Sequence, residues 1–322
     1  MIEPAVIPVS GSAAIPVTGH VAILTGTPRL FGAVHLTLSA AAVLLAVFCA
    51  LRAKRLSAAG RLRLISMCGW GLVVLEAYKQ LFLFFVVNGR HYDWWFFPFQ
   101  LCSVPMYMCI LMPLLCGKLY KGGYGSWPVP GVRHVAALGS DPGLGPVPGL
   151  GPVSGAAQAV FTFLASYTFV GAVAALVIPE DFLRPYISLT LHGFIWHGLI
   201  LFVSLTVTLS GMADLTLRSF ARSTVLFLGL CVAAVGINVL AEPSMTAAYA
   251  EGIISHPYAA MFYLNPYHLS PQPLVDTVQK SAGIPAGLAL YVLVIIAVSG
   301  ITGFLFHVFI SGRNAGQNQA EK

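Results

Sequence analysis

Long apolar runs alternate with short polar connections along most of this chain, a pattern that favours membrane-spanning helices over a soluble core. A spanning helix needs about 20 apolar residues, because it rises about 1.5 Å per residue through a hydrocarbon layer about 30 Å thick. Suitable runs occur at 31–51, 62–88, 97–117, 158–178, 187–209, 222–241 and 284–310. The pattern therefore predicts an all-α, polytopic membrane protein, a bundle of seven transmembrane helices.

The segments outside the predicted transmembrane domain, 31–310, differ in character. Residues 1–30 are interrupted by proline and glycine and are predicted to form an extracytoplasmic tail. The connection 118–157 contains the run PGLGPVPGLGPVSG, typical of a flexible insertion, which we expect on the cytoplasmic side. The connection 242–283 is rich in Tyr, His and Pro, so we expect an external loop that folds over the bundle mouth. Residues 311–322 are predicted to be a cytoplasmic tail.

Composition and charge set the class of protein and its orientation. The chain is 57% hydrophobic and 9% charged, which excludes an ordinary soluble enzyme, and it has no basic domain for nucleic acid. Basic residues concentrate in alternate connections, at 52–63, 118–133, 218–222 and 313–322. Since cytoplasmic loops are enriched in Lys and Arg, we predict a bacterial plasma membrane protein with its N-terminus outside and its C-terminus in the cytoplasm.

Ionisable side chains inside predicted spans are costly and therefore mark candidate functional positions. Glu76 and Lys79, in LEAYKQ, lie three residues apart on one helical face, either as a structural ion pair or as groups that orient a reaction. His192 and His197 lie about 140° apart around a helix, so they do not form a two-histidine metal face. Each is either a base or a side chain bonded to a neighbouring helix. We predict no metal and no cofactor.

Cys102 is the candidate nucleophile. It lies in WWFFPFQLCSVPMYMCILMPLLCG, where Pro105 inside a helix would leave the carbonyl of Leu101 without its donor. A thiol beside such a break is a candidate reactive centre, and a nearby His or Lys favours its thiolate. The alternative is a buried, small apolar residue. The six cysteines all lie in apolar stretches without CxxC spacing, which argues against disulfides and zinc.

The predicted depths of the polar residues agree. In the predicted orientation, Cys102, His192 and Asn238 fall in the outer half of the membrane. Glu76, Lys79 and His197 fall between that half and the midplane. This agreement predicts one outward-facing cavity with the 242–283 loop as its lid, although an interhelical hydrogen bond is the favoured interpretation of Asn238 alone.

Five runs, LEAYKQ, FFPFQLCS, FLASYTFVGAVAALVIPEDF, LHGFIWHGLILF and MFYLNPYHLSPQPLVD, occur in this order. Together they resemble the YwaF-like integral membrane proteins of bacteria, whose eukaryotic relatives are known as transmembrane protein 164, over roughly residues 60 to 310. The resemblance implies seven helices and, for the eukaryotic branch, an acyltransferase that moves fatty acyl chains between phospholipids through a cysteine. It matches Cys102 to the nucleophile, His197 to the partner histidine, and Glu76 and Lys79 to the Glu and Lys of the preceding helix.

These observations predict a membrane-embedded lipid acyltransferase or acyl-thioester hydrolase with membrane phospholipids or acyl lipids as partners. Cys102 is the predicted nucleophile and His197 the general base. The predicted orienting and charge-stabilising residues are Glu76 and Lys79, and the predicted substrate-binding residues are Gln100, His192 and Asn238. Gln100 stands where bacterial relatives usually have His, which shifts the role of base to His197. The alternatives are a small-molecule transporter or binding protein that uses the same cavity without covalent chemistry, or a structural membrane protein.

Overall fold

The computed structural model describes residues 27–116, 146–147 and 151–320. Within these ranges the regular secondary structure is helical apart from one short antiparallel pair, β1 (Pro146–Val147) with β2 (Gly151–Pro152). The α-helices are α1 (Ala33–Ala53), α2 (Ala58–Phe82), α3 (Val104–Leu115), α4 (Gly155–Ala165), α5 (Tyr167–Val177), α6 (Ile187–Leu209), α7 (Leu217–Ala250), α8 (Pro273–Ala282) and α9 (Ile284–Ala320).

Six helical stretches in the described chain are long and apolar enough to cross a membrane. They are Ala33–Ala53, Ala58–Val87, Gly155–Val177, Ile187–Leu209, Leu217–Ala250 and Ile284–Ile310. The third of these combines α4 and α5, which meet at Ser166, and the second extends α2 by a π-helical turn, Leu83–Val87. The chain is therefore a multi-pass helical membrane protein.

The predicted span 97–117 is not one continuous helix. Its helical part, α3, has only 12 residues, and the 3-10 turn Trp94–Phe96 and further turns precede it. Pro105 lies in the first turn of α3, where a missing N–H costs no intrahelical bond, whereas Pro113 lies inside the helix. The expected break at Leu101 by an interior Pro105 is therefore wrong, because Pro105 helps to start the helix.

Local capping explains several other boundaries. The side chains of Ser57, Ser154 and Thr216 each accept a hydrogen bond from a backbone N–H in the first turn of α2, α4 and α7 respectively. The predicted span 222–241 is too short, because α7 runs for 34 residues and continues through Pro243. The connection predicted at 242–283 thus begins as helix.

Helix α6 and the α4–α5 span form the centre of the bundle. Each has 61% of its apolar window buried, against 28% or less in the other four spans. Helix α6 contacts α1, α2, α4 and α5. At Gly198 an added Cβ would lie 3.2 Å from the Cβ of Ala42, so this glycine lets α1 approach α6 closely.

The segment between α7 and α8 packs against other parts of the bundle. Its His256 Nδ1 lies 2.6 Å from a carboxylate oxygen of Asp93, and its His268 Nε2 lies 2.5 Å from one of Glu242. His256 also stacks on Trp95, with ring centroids 4.6 Å apart. These contacts fasten the segment both to α7 and to the residues that precede α3.

Candidate functional site

A cavity of about 640 Å³ lies among α2, α5, α6, the turn before α3 and the segment between α7 and α8. Its wall is mostly apolar and aromatic. Its charged and nucleophilic lining residues are Lys79, Cys102, Ser103, Glu180, Asp181, Arg184, His192 and His197. Of the seven residues predicted for the site, Cys102, His197, Lys79, Gln100 and His192 line this cavity, whereas Glu76 and Asn238 lie behind its wall.

Cys102 lies in the turn that leads into α3. The indole Nε1 of Trp196 donates a 3.0 Å hydrogen bond to the carbonyl of Cys102, which ties this turn to the central helix α6. Cys102 is only partly buried and lines the cavity. Cys49 is also partly exposed, but it lies on α1 away from the cavity. Its place on the cavity wall therefore distinguishes Cys102 from the other five cysteines.

His197 is held by one ring nitrogen. Its Nδ1 lies 2.8 Å from the carbonyl of Gly193, and its ring stacks on Phe182 with centroids 4.8 Å apart. Because a carbonyl can only accept, Nδ1 carries the hydrogen in this bond, which leaves a lone pair on Nε2. No hydrogen bond joins His197 to Cys102 in the described part of the chain. The ring is therefore oriented with a basic nitrogen, on the wall of the cavity that contains the thiol.

His192 is bonded through the opposite nitrogen. Its Nε2 donates to the carbonyl of Leu75, 3.1 Å away, and its ring stacks beside Trp196 at 5.7 Å. This bond joins α6 to α2, as expected for a structural membrane histidine. His192 nevertheless lines the cavity, so it contributes to the wall as well as to the helix contact.

Glu76 and Lys79 form an ion pair, with 2.9 Å between Nζ and Oε1. Gln80 donates to the same carboxylate oxygen at 2.7 Å and to the carbonyl of Phe96. Glu76 is buried, and its second oxygen has no hydrogen-bond partner among the described residues. The pair places the Lys79 ammonium in the cavity wall with its counter-charge behind it.

Gln100 and Asn238 hold a strained turn of the cavity wall. Gln100 accepts from the N–H of Phe262 at 3.1 Å and donates to the carbonyl of Ala260 at 3.2 Å. Asn238 accepts from the N–H of Met261 at 2.7 Å and donates to its carbonyl at 3.1 Å. Both amides are thus occupied by backbone groups. Asn238 is hydrogen-bonded, but its partner is this turn and not another membrane-spanning helix as the favoured interpretation expected.

This turn contains wall residues that the sequence did not predict. Phe262 and Tyr263 have φ values of 55° and 56°, in the left-handed region that non-glycine residues seldom adopt. Both line the cavity, and the phenol of Tyr263 donates to the carboxylate of Asp181. Burial, reinforced by that carboxylate, holds the pKa of Tyr263 well above its usual range, so the phenol is protonated at neutral pH.

Arg184 is the other residue that the sequence did not single out. It lies in IPEDFLRP, the short connection between α5 and α6. The signal available in the sequence was a cluster of two acidic residues and one basic residue directly beside an aromatic-rich span. In the structure, the cluster faces the cavity.

A mostly apolar cavity lined by polar groups from several helices defines the class: a multi-pass helical membrane protein with a candidate site among its helices. No group of His, Cys, Asp or Glu within the described ranges is arranged to hold a metal ion. A model of the TMEM164 family matches residues 30–305, so the chain belongs to that family, and the resemblance noted in the sequence is confirmed. No curated protein and no solved structure matches the chain.

Proposed function

We propose that this protein transfers or hydrolyses fatty acyl groups of membrane lipids through a thioester on Cys102. The observation that carries the proposal is the shared, largely apolar cavity of Cys102 and His197, with the lone pair of His197 left on Nε2. A nucleophile with an oriented base beside a binding cavity is the arrangement that acyl transfer requires. The missing thiol–imidazole hydrogen bond is compatible with this role, since such bonds often tighten only when substrate is bound.

The proposed reaction has two balanced steps. His197 Nε2 takes the thiol proton of Cys102, and the sulfur attacks the ester carbonyl of a lipid. The S–C bond forms, the ester C–O bond breaks, and the imidazolium returns the proton to the leaving alkoxide. An acceptor hydroxyl or water then attacks the thioester, with His197 again as base, and the thiol is regenerated.

Lys79 is proposed to stabilise the negative charge that develops on the ester oxygen, and Glu76 to hold Lys79 in position. The 2.9 Å pair supports this division, because the ammonium lines the cavity while the carboxylate lies behind it. Among the predicted substrate-binding residues, His192 and Gln100 line the cavity. Asn238 is proposed to act on substrate through the turn that it holds at Met261.

Transport or binding of a small molecule without covalent chemistry is the second candidate. The same cavity and its buried Glu76–Lys79 pair support it, since ion pairs inside a bundle also occur in transporters. Cys102→Ser separates the two functions. Acyl transfer should fall to background, whereas a transporter should tolerate so small a change and fail instead at Glu76→Gln or Lys79→Met.

For the topology, we propose seven crossings in the plasma membrane, with an external N-terminus and a cytoplasmic C-terminus. The six long spans supply six crossings, and α3 with the turn before it supplies the third in chain order. The alternation of basic connections along the sequence supports this orientation. It places the segment between α7 and α8 outside the cell.

The function is tested by labelling the purified protein in lipid with a thiol-reactive fatty acyl probe, followed by peptide mapping. We expect selective modification of Cys102 and its loss in His197→Ala. Cys49, which is also partly exposed, serves as the internal control for a merely accessible thiol. Equal labelling of both cysteines, or labelling that is unchanged in His197→Ala, would contradict an activated nucleophile.

A further inference from the structure

Arg184 is held at several points on the wall of the cavity. Its N–H and carbonyl both bond the hydroxyl of Thr190, at 3.0 Å each. Its Nε donates to the backbone carbonyl of Asp181 at 3.1 Å, and its guanidinium lies 5.5 Å from the ring centroid of Phe96. The Thr190 bonds thus fix the backbone of Arg184, and the Nε bond with the Phe96 contact orients its guanidinium.

The outer nitrogens of this guanidinium have no acceptor in the part of the chain that the structure describes. Within the described residues, Arg184 forms no ion pair, and Nη1 and Nη2 donate to no acceptor. Lys79, the other cation of the cavity, is already paired with Glu76. The planar fork of an arginine matches the two oxygens of a phosphate or carboxylate, so its unused edge is a ready anion site.

We propose that Arg184 binds a singly charged oxyanion, a phosphodiester or carboxylate, on an amphiphile whose chain occupies the apolar part of the cavity. This inference rests on the proposed function, in which the cavity holds an acyl lipid. A fixed guanidinium at one end would set the position of that lipid relative to Cys102.

The neighbouring carboxylates restrict the charge of the ligand. Glu180 and Asp181 line the same cavity and repel a group that carries two negative charges. Asp181 accepts from the phenol of Tyr263, and Arg184 contacts its backbone carbonyl, so the carboxylate does not occupy the guanidinium fork. A singly charged group that gains two hydrogen bonds from Arg184 therefore fits better than a phosphomonoester.

The test measures equilibrium binding of dodecyl methyl phosphate to the full-length protein in neutral maltoside micelles. This probe is a phosphodiester without an acyl ester, so it cannot be consumed by acyl transfer. The matched probes are 1-dodecanol, which has the chain without the charge, and dimethyl phosphate, which has the charge without the chain. Arg90→Gln is the matched variant, because Arg90 is an exposed arginine outside the cavity.

We expect Arg184→Gln to bind dodecyl methyl phosphate about tenfold more weakly, the loss typical of charge-assisted hydrogen bonds. Arg90→Gln should bind it as the native protein does, and binding of 1-dodecanol should not depend on Arg184. Arg184→Lys keeps the positive charge but not the planar guanidinium fork. Its affinity for dodecyl methyl phosphate should therefore lie between those of Arg184→Gln and the native protein. If Arg184→Gln does not fold, Arg184→Lys against the native protein carries the test.

Unchanged binding in Arg184→Gln, or in Arg184→Lys where only that variant folds, overturns the inference. If dimethyl phosphate binds as tightly as dodecyl methyl phosphate, and its binding depends on Arg184, the ligand is a free oxyanion. That result overturns the inference that the ligand is an amphiphile. Cys102→Ser separates this inference from the proposed function, since it should bind the probe normally. Arg184-dependent binding of the probe by a protein that shows no acyl transfer would support the anion site and contradict the proposed enzymatic activity.

Discussion

Two groups of histidines in this molecule, in the segment between α7 and α8 and in α6, differ in their partners. In the segment that covers the bundle, His256 pairs with Asp93 and His268 with Glu242, so each ring is fastened to a carboxylate. In α6, His197 bonds a backbone carbonyl through Nδ1, and its Nε2 has no partner among the residues that the structure describes. The two histidines of the covering segment hold the structure together, whereas His197 on the cavity wall retains a ring nitrogen available for chemistry.

The largest expected effect is at His197. Its replacement by alanine removes the proposed base, and general-base catalysis contributes about 10²–10⁴-fold to a rate. We therefore expect acyl transfer to fall by that range in a lipid-based assay. His35→Ala is the control, because His35 is a buried histidine outside the cavity with both ring nitrogens bonded. Equal losses in both variants would assign His197 a structural role.

The Glu76–Lys79 pair should combine a structural and a functional contribution. Glu76→Gln leaves the ammonium of Lys79 without its counter-charge and should cost about 3 kcal/mol of stability. Glu76→Gln with Lys79→Met removes both charges and should recover most of the melting temperature but none of the acyl transfer. Recovery of activity in the double variant would show that the pair only holds helices together.

Asn238→Ala tests the covering segment. It leaves the N–H of buried Met261 unpaired, at about 1–3 kcal/mol, while the carbonyl of Met261 keeps its hydrogen bond from the N–H of Leu264. The melting temperature should fall clearly, and activity should fall because Phe262 and Tyr263 lose their position on the cavity wall. Asn88→Ala is the matched control, since that amide makes no hydrogen bond within the described residues. An unchanged melting temperature in Asn238→Ala would contradict the role of Asn238 in holding the turn at Met261.

The smallest effect is expected at the exposed pair Lys280–Asp276 on α8, whose side chains are 62% and 27% exposed. Solvent screens such pairs, so Lys280→Gln should change stability by at most about 1 kcal/mol. Neither acyl transfer nor binding at Arg184 should change. A large loss of activity would show that α8 contributes to the site in a way that the cavity contacts do not explain.

Hydropathy predicted the six long spans because their length and apolarity are local properties of the sequence. It could not tell that α3 is short, because the outcome depends on Pro105 acting at a helix start and on turns tied to α6 by Trp196. The predicted span 222–241 is shorter than α7, because the helix continues through Pro243 beyond the length that a membrane crossing requires.

For the site, residue type and depth placed Cys102, His197 and Lys79 in one region, and the structure brings all three to one cavity. The turn at Phe262 and Tyr263 was not predictable, because its left-handed backbone is imposed by Gln100 and Asn238, both more than 20 residues away in sequence. Such contacts leave no local pattern in the chain.

The most direct test of the central claim is detection of an acyl group on Cys102. The purified protein is incubated with a phospholipid that carries isotopically labelled acyl chains, quenched in acid, and its peptides are analysed by mass spectrometry. We predict one labelled acyl group on the Cys102 peptide, released by neutral hydroxylamine and absent from Cys102→Ser. Acyl transfer that continues in Cys102→Ser, or a label confined to another residue, would contradict a nucleophilic Cys102.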